Sequence, residues 1–320
     1  MKCVLILPYF GKFHNYFQLF LDSFSTNKSF DLLIFTDSDE EYRWPKNVKV
    51  VKYTLEKIKK SLETFVGYEI CLNSAYKLCD YKPCYGIIFK EYIEEYDYWG
   101  HCDCDLLFGD LEKNIKPLLL SEEYDKLFAA GHLTIYRNTL DVNSLFTKRL
   151  NGEDIFRQAA CSDRIYVFDE DFAKNNIHKI FKQEKKVIYE KDLSMNPTIQ
   201  SSFFVRSYYS DIQNKFIWES KLPARYYWHN GKVFRIGIIN EDLVMQEFSY
   251  IHLQNRVMRH KITSLSDNII EILPDKFVTR DNLPYSKQQF RKYELMFPNL
   301  YWLNTYKKIL KRKLKKLMRK

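Results

Sequence analysis

Glycine and proline are scarce in this sequence, with nine of each among 320 residues. That scarcity excludes collagen-like repeats, Pro-rich or Gly-rich low complexity and long flexible linkers. No run approaches the roughly 18–20 consecutive apolar residues that a membrane-spanning helix needs. The opening, MKCVLILPYFG, lacks the long apolar core of a secretion signal and reads directly as a first strand. Seven cysteines make an odd number, and Cys79 and Cys84 lack zinc-ligand spacing. Cys102 and Cys104 alternate with acids on one strand, which favours a structural role over zinc. Reduced thiols in a cytoplasmic protein are therefore expected. An excess of positive charge is also missing from most of the chain. Residues 306–320 (YKKILKRKLKKLMRK) hold nine of the 50 Lys and Arg, leaving 41 to balance 41 acidic residues. A neutral body argues against broad nucleic-acid contact, and no nucleic-acid partner is expected.

What is present is a core-forming chain. Hydrophobic residues make up 46%, and 24 Tyr and 24 Phe raise the aromatic share to 17%. KCVLILP (2–8), DLLIFT (31–36) and VKVVKY (48–53) are apolar runs that suit buried parallel strands. Helical patterns fall at about 14–24, 66–80 and 86–96, and YDYWGHCDCDLLFGDL (96–111) reads as a strand ending in an acidic turn. This alternation predicts an α/β fold on a Rossmann-type, mostly parallel sheet. Further on, 127–137 reads as strand interrupted at Gly131, with helices near 139–149 and 171–182. RYYWHNGKVFRI (225–236) is a hairpin turning at Asn230-Gly231, and EFSYIHL (247–253) a late strand. One domain over 1–260 is expected, then an irregular extension over 261–300 and a basic amphipathic helix over 301–320.

The chemistry concentrates at Asp103-Cys104-Asp105. Residues i and i+2 of a strand point to one side, so both carboxylates can converge on one hard divalent cation. Open α/β sheets bind ligands at that carboxyl edge. Two solvated turn acids would give the same letters, but the apolar flanks Tyr98, Trp99, Leu106, Leu107 and Phe108 place the pair at a buried strand end. Asp37 ends the second strand, where an acid either contacts a nucleoside or caps a turn. Pro8 and Tyr9, in the stretch running to Gly11, are placed to offer backbone contacts to a base. Asp169 and Glu170 precede an amphipathic helix and are the best-placed catalytic carboxylates, although acids there also suit the helix dipole. His252, inside an apolar run, is either a packed core residue or a third metal ligand. Lys77, Lys82 and Arg137 either meet phosphate oxygens or stand in solvent.

Four separated segments then carry a resemblance. KLCDYKPCYGIIFKEYIEEYDYWGHCDCDLLFGDL (77–111), AAGHLTIYRN (129–138), VFDED (167–171) and YIHLQNR (250–256) occur in this order. Over roughly residues 1–260 the chain resembles a family of bacterial glycosyltransferase-like proteins from polysaccharide (capsule and O-antigen) biosynthesis clusters. That resemblance implies a GT-A-like fold and a metal-dependent glycosyltransferase. It further implies Asp103 and Asp105 acting with Mn²⁺ or Mg²⁺ on a nucleotide-sugar donor such as a UDP-sugar. It assigns His252 to the metal, Asp37 to the nucleoside, and a glycan or lipid-linked molecule as acceptor. The chain departs from the family after Asp169-Glu170, where Asp171-Phe172-Ala173 replaces a Trp-Gly-Gly-like run. The metal side of the site is therefore better matched than the acceptor side.

Two other functions are compatible with these residues. A nucleotidyltransferase would show a basic, Gly-rich N-terminal loop, and PYFGKFHNYF (8–17) has one Gly and one Lys. A non-catalytic membrane or nucleic-acid adaptor would use the acids as caps alone. In the tail, Trp302, Leu303, Tyr306, Ile309, Leu310, Leu314 and Leu317 recur at helical spacing among lysines and arginines. Such a helix suits an anionic membrane surface, so peripheral attachment to the inner face of the cell membrane is expected through 301–320.

Overall fold

The three apolar runs at the start of the chain lie side by side as parallel strands, β1 (Cys3–Pro8), β2 (Phe30–Thr36) and β3 (Val48–Lys52). The computed structural model describes residues 1–320 except 200, 202, 255, 267, 293–297 and 318–320. Alternate side chains of these strands go to opposite faces. Leu5, Leu7, Leu32 and Ile34 pack with Phe17, Phe20 and Phe24 of the helix Phe17–Phe24. Val4, Ile6, Leu33 and Phe35 pack instead with Ile58 and Leu62 of the helix Leu55–Val66. Both faces are covered, which is why the strands read as continuous apolar runs.

β4 (Tyr98–Cys102) extends this sheet by pairing parallel to β1. The chain then leaves the sheet through β5 (Leu106–Phe108) and returns with β6 (Lys126–Leu127), β7 (Leu133–Arg137) and β8 (Ile188–Tyr189). The seven-stranded order is β3-β2-β1-β4-β7-β6-β8, parallel at β3-β2-β1-β4 and β6-β8 and antiparallel on both sides of β7. The sheet is thus mixed and rich in parallel pairs.

Beyond β9 (Ser194–Met195), β10 (Ser207–Ser210) and β11 (Lys215–Trp218) form a separate hairpin. β12 (Ala224–His229) and β13 (Lys232–Ile239) form the expected hairpin, with Asn230 at φ 47° and Gly231 at φ 70° in its turn. β14 (Asp242–Phe248) continues it, and β15 (Tyr250–His252) crosses back to pair with β5 and β9. The stretch 261–300 is not irregular. Its β16 (Ile269–Leu273) and β17 (Lys276–Arg280) complete a five-stranded sheet through β12, followed by the helix Lys287–Lys292. Trp228, Val233, Phe248, Ile270 and Ile272 pack this sheet against Leu107 of β5 and against Tyr16, at the start of the helix Phe17–Phe24.

Other element boundaries also differ. The helix expected over 66–80 lies earlier, capped by the Thr54 side chain, which accepts from the Lys57 amide, and stopped at Gly67 with φ 77°. Residues Ala75–Cys84 form a 3₁₀ helix, and 86–96 breaks into two single turns. A C-terminal helix runs Leu300–Leu317, and residues 318–320 of the expected tail lie outside the described residues. No described helix is long and apolar enough to cross a membrane.

Candidate functional site

The strand expected over 96–111 is broken where the chemistry lies. β4 ends at Cys102 and β5 begins at Leu106, so Asp103-Cys104-Asp105 is the turn between strands of two sheets. The carboxylates therefore converge through that turn and not through the pleat. β5 pairs antiparallel with β15 in a register that sets His252 opposite Leu106. This register brings the imidazole beside the acids. His252 Nε2 lies 3.2 Å from Asp105 Oδ1 and 3.7 Å from Asp103 Oδ2. One ligand atom from each of Asp103, Asp105 and His252 lies within 4.8 Å of the others.

The donor set fits a hard or borderline divalent cation: two carboxylates and one imidazole, no thiolate. The imidazole is also oriented from behind, since His252 Nδ1 lies 3.1 Å from Asn196 Oδ1, and Asn196 Oδ1 accepts from Gln254 Nε2 at 2.7 Å. Burial pulls the His252 pKa down, but Asp105 and Asp103 outweigh it and the pKa is raised. His132, just before β7, lies beside His252 with ring centroids 4.7 Å apart and the rings tilted by 40°. Burial holds His132 neutral, its pKa lowered well below the usual range, and its Nδ1 meets Tyr250 Oη at 2.9 Å.

Lys82 joins this cluster to the second acidic segment. Its ammonium donates to Asp103 Oδ1 at 2.7 Å and to the Gly131 carbonyl at 2.8 Å, and it lies 3.2 Å from Asp169 Oδ2. Burial opposes the charge, yet Asp103 and Asp169 together raise the Lys82 pKa well above its ordinary value. Asp169 is buried at 4% exposure, and burial pushes its pKa up to about 7 against the pull of Lys82. Glu170 accepts from the Gly131 amide at 3.1 Å. A methyl group at Gly131 would stand 2.9 Å from Asp169 Cγ, so only glycine lets the turn before β7 approach the carboxylate this closely.

The loop carrying Asp169 is clamped from the other side as well. Asp80 accepts from the Tyr166 amide at 3.0 Å and the Phe168 amide at 3.1 Å. Lys77, 2.8 Å from Asp80, donates also to the carbonyls of Ala159 and Arg164. Val167, between the two clamped amides, sits at φ 57°, a costly conformation for a β-branched residue that persists only when its surroundings dictate it. Lys77 and Lys82 thus belong to one 3₁₀ helix, Lys77 buried and Lys82 half-buried at the cavity, and neither is solvated surface. The Lys-x-x-Asp spacing was the available sequence signal for this clamp, and His132 after Gly131 was the signal for the second imidazole.

Asp103, Asp105, His252, His132, Lys82, Asp169 and Glu170 line one cavity of about 720 Å³, together with Pro8, Tyr9, Tyr76, Cys79, Ile165, Ile199 and Gln254. That volume is ample for a nucleotide-sized ligand. Asp37 does not line it. It sits exposed at the end of β2, accepts from the Gly11 amide at 2.9 Å, and so shapes the loop that holds Pro8 and Tyr9. Arg137 lies away from the cavity, donating to the Glu122 and Tyr124 carbonyls. A second concavity of about 630 Å³ lies among Arg259, Lys261, Lys276, Phe277 and Thr279, with no carboxylate among its described lining residues. Convergent acids and a fixed base-like carboxylate point to the first.

No curated protein matches the sequence. Among solved structures the chain is similar to residues 1–349 of TarS from S. aureus, at 13% identity and a TM-score of 0.26. The match covers 43% of this chain and 47% of that one, so it spans about half the length of that protein. A likeness at that level transfers no activity. Residues 5–281 match the model of a family described as being of unknown function (DUF6625), and because that span takes in most of the chain, the chain belongs to that family.

Proposed function

We propose that this chain is a metal-dependent glycosyltransferase that moves a sugar from a nucleotide sugar, of the UDP class, to an acceptor hydroxyl on a GT-A-like sheet. The observation that carries the reading is the convergence of Asp103, Asp105 and His252 in one cavity with the buried carboxylate of Asp169. Asp103, Asp105 and His252 would hold Mn²⁺ or Mg²⁺. Such a cation, when bound, neutralises the negative charge that grows on the departing nucleoside diphosphate. Pro8 and Tyr9 line the cavity at the carboxyl end of β1, on the side suited to the nucleoside. Lys82 ties the Asp103 carboxylate to Asp169 and holds the two at a fixed separation. As the acceptor oxygen bonds to sugar C1, the C1–O bond to phosphate breaks and its electron pair leaves with the diphosphate. In an inverting reaction the Asp169 carboxylate receives the acceptor proton. In a retaining reaction the same carboxylate faces C1 directly. The anomeric configuration of the product separates these two courses.

The experiment is a donor-hydrolysis screen across nucleotide sugars with Mn²⁺ present. Release of nucleoside diphosphate from at least one of them, abolished by EDTA, is the expected result. Metal-independent release, or turnover only of nucleoside triphosphates, would refute the assignment.

A further inference from the structure

The C-terminal helix is seated beside the mouth of the cavity, and its apolar face is turned away from the body. The Leu300 amide donates to Asp275 Oδ2 at 2.8 Å, and Tyr301 Oη donates to the Ile199 carbonyl at 2.9 Å. The Tyr301 ring also covers the buried Arg256 guanidinium, 3.9 Å from the ring centre. Ile199 itself lines the cavity. Leu303, Tyr306, Ile309, Leu310 and Leu314 are all 42–56% exposed. At about 100° per residue they fall within an arc of about 140°, and Tyr301 projects from the opposite side of the helix. The contact with the body and the apolar stripe therefore occupy opposite faces.

We infer that the mouth of this cavity works at the surface of an anionic phospholipid bilayer, held there by the helix Leu300–Leu317. Charge complementarity selects that partner. The fifteen residues 306–320 carry nine Lys or Arg and no acid, whereas the rest of the chain is balanced. An apolar stripe beside such charge buries its side chains among acyl chains while the cations meet headgroup phosphates. A nucleic acid would satisfy the cations and leave the stripe in water. A helix with its side chains is about 10–12 Å across. Ile199, held on the reverse face, then lies within about one helix diameter of the headgroups.

The rim agrees with that placement. Among the residues lining the cavity, Tyr76 is 73% exposed, Ile199 58% and Ile165 38%. An apolar rim at headgroup depth suits an acceptor that keeps a lipid anchor in the bilayer and presents a hydroxyl upward. That last step rests on the transferase reading, whereas the docking does not.

Hydrogen exchange of the full chain, alone and with phosphatidylglycerol vesicles or neutral phosphatidylcholine vesicles, tests the docking. With phosphatidylglycerol we expect slowed exchange in the helix and in the segments carrying Ile199 and Ile165. The helix Leu55–Val66, away from the mouth, should be unchanged. Lys307→Glu, Lys308→Glu and Lys311→Glu together should weaken vesicle binding by about a hundredfold or more. Mn²⁺-dependent nucleotide binding should be kept in that variant. Protection of the helix without the rim would overturn the placement of the mouth. Equal binding to neutral vesicles, or tighter binding to duplex DNA with the same protected segments, would overturn the choice of partner. Loss of donor hydrolysis in the intact protein would instead count against the transferase reading and leave the docking standing.

Discussion

Asp105→Ala is expected to lower Mn²⁺-dependent donor hydrolysis by about 10³-fold, equivalent to about 4 kcal/mol of transition-state stabilisation. The size follows from position. Asp105 is 2% exposed and lies 3.2 Å from His252, so no solvent-exposed side chain can swing in to replace it. The fold should survive, because β5 is held by its ladder with β15 and by Trp228, whose indole N–H donates to the Phe108 carbonyl at 2.9 Å. His252→Ala is the matched comparison. It removes one neutral ligand and leaves both carboxylates, so metal affinity should fall by about 10–100-fold and the melting temperature should hold. A large fall in melting temperature with metal affinity unchanged would return His252 to the role of a packed core residue. Undiminished, EDTA-sensitive donor binding by Asp105→Ala would remove the carboxylate pair from the metal altogether.

Asp169→Asn should cost about 10²–10⁴-fold in turnover while nucleotide and Mn²⁺ binding stay close to wild type. The side chain keeps its shape, so Gly131 still accommodates it and the Lys82 ammonium still reaches the amide oxygen. What is lost is the proton acceptor. The pH profile supplies a second signature. Burial raises the Asp169 pKa, Lys82 opposes that rise, and Glu170 and Asp103 add to it, for a net value of about 7. A base must be deprotonated to act, so kcat/KM should climb about tenfold per pH unit below that value and level off above it. In Asp169→Asn that acidic limb should vanish. An unchanged limb, or a binding defect as large as the rate defect, would assign Asp169 to a structural role beside Lys82.

The parallel strands were legible because burial on both faces forces continuous apolar runs, and β1, β2 and β3 lie within two residues of the runs at 2–8, 31–36 and 48–53. The β12–β13 hairpin was legible because Asn-Gly adopts the two positive φ values its turn requires. The helices were less so. Ala75–Cys84 is held as a 3₁₀ turn by tertiary contacts of Lys77, Asp80 and Lys82, which local periodicity does not encode. Strands β16 and β17 were missed because they are short and follow a polar stretch that reads as loop. Within the site, Asp103 and Asp105 stood out by their apolar flanks, although the turn and not the pleat brings them together. His252 became a candidate ligand by residue type, but its place beside Asp105 depends on the β5–β15 register, a contact across about 145 residues of chain. Asp169 and Lys82 meet through Gly131, a three-way contact that no spacing rule within one segment announces.

The central claim is that one cavity binds a divalent cation and a nucleoside diphosphate together. The most direct measurement is calorimetric titration of the full chain with UDP and other nucleoside diphosphates, in Mn²⁺ and again in EDTA. At least one of them should bind with Mn²⁺ present, lose that binding in EDTA, and lose it in Asp105→Ala. Binding that ignores EDTA, or no nucleoside diphosphate bound at any Mn²⁺ concentration, would contradict the account.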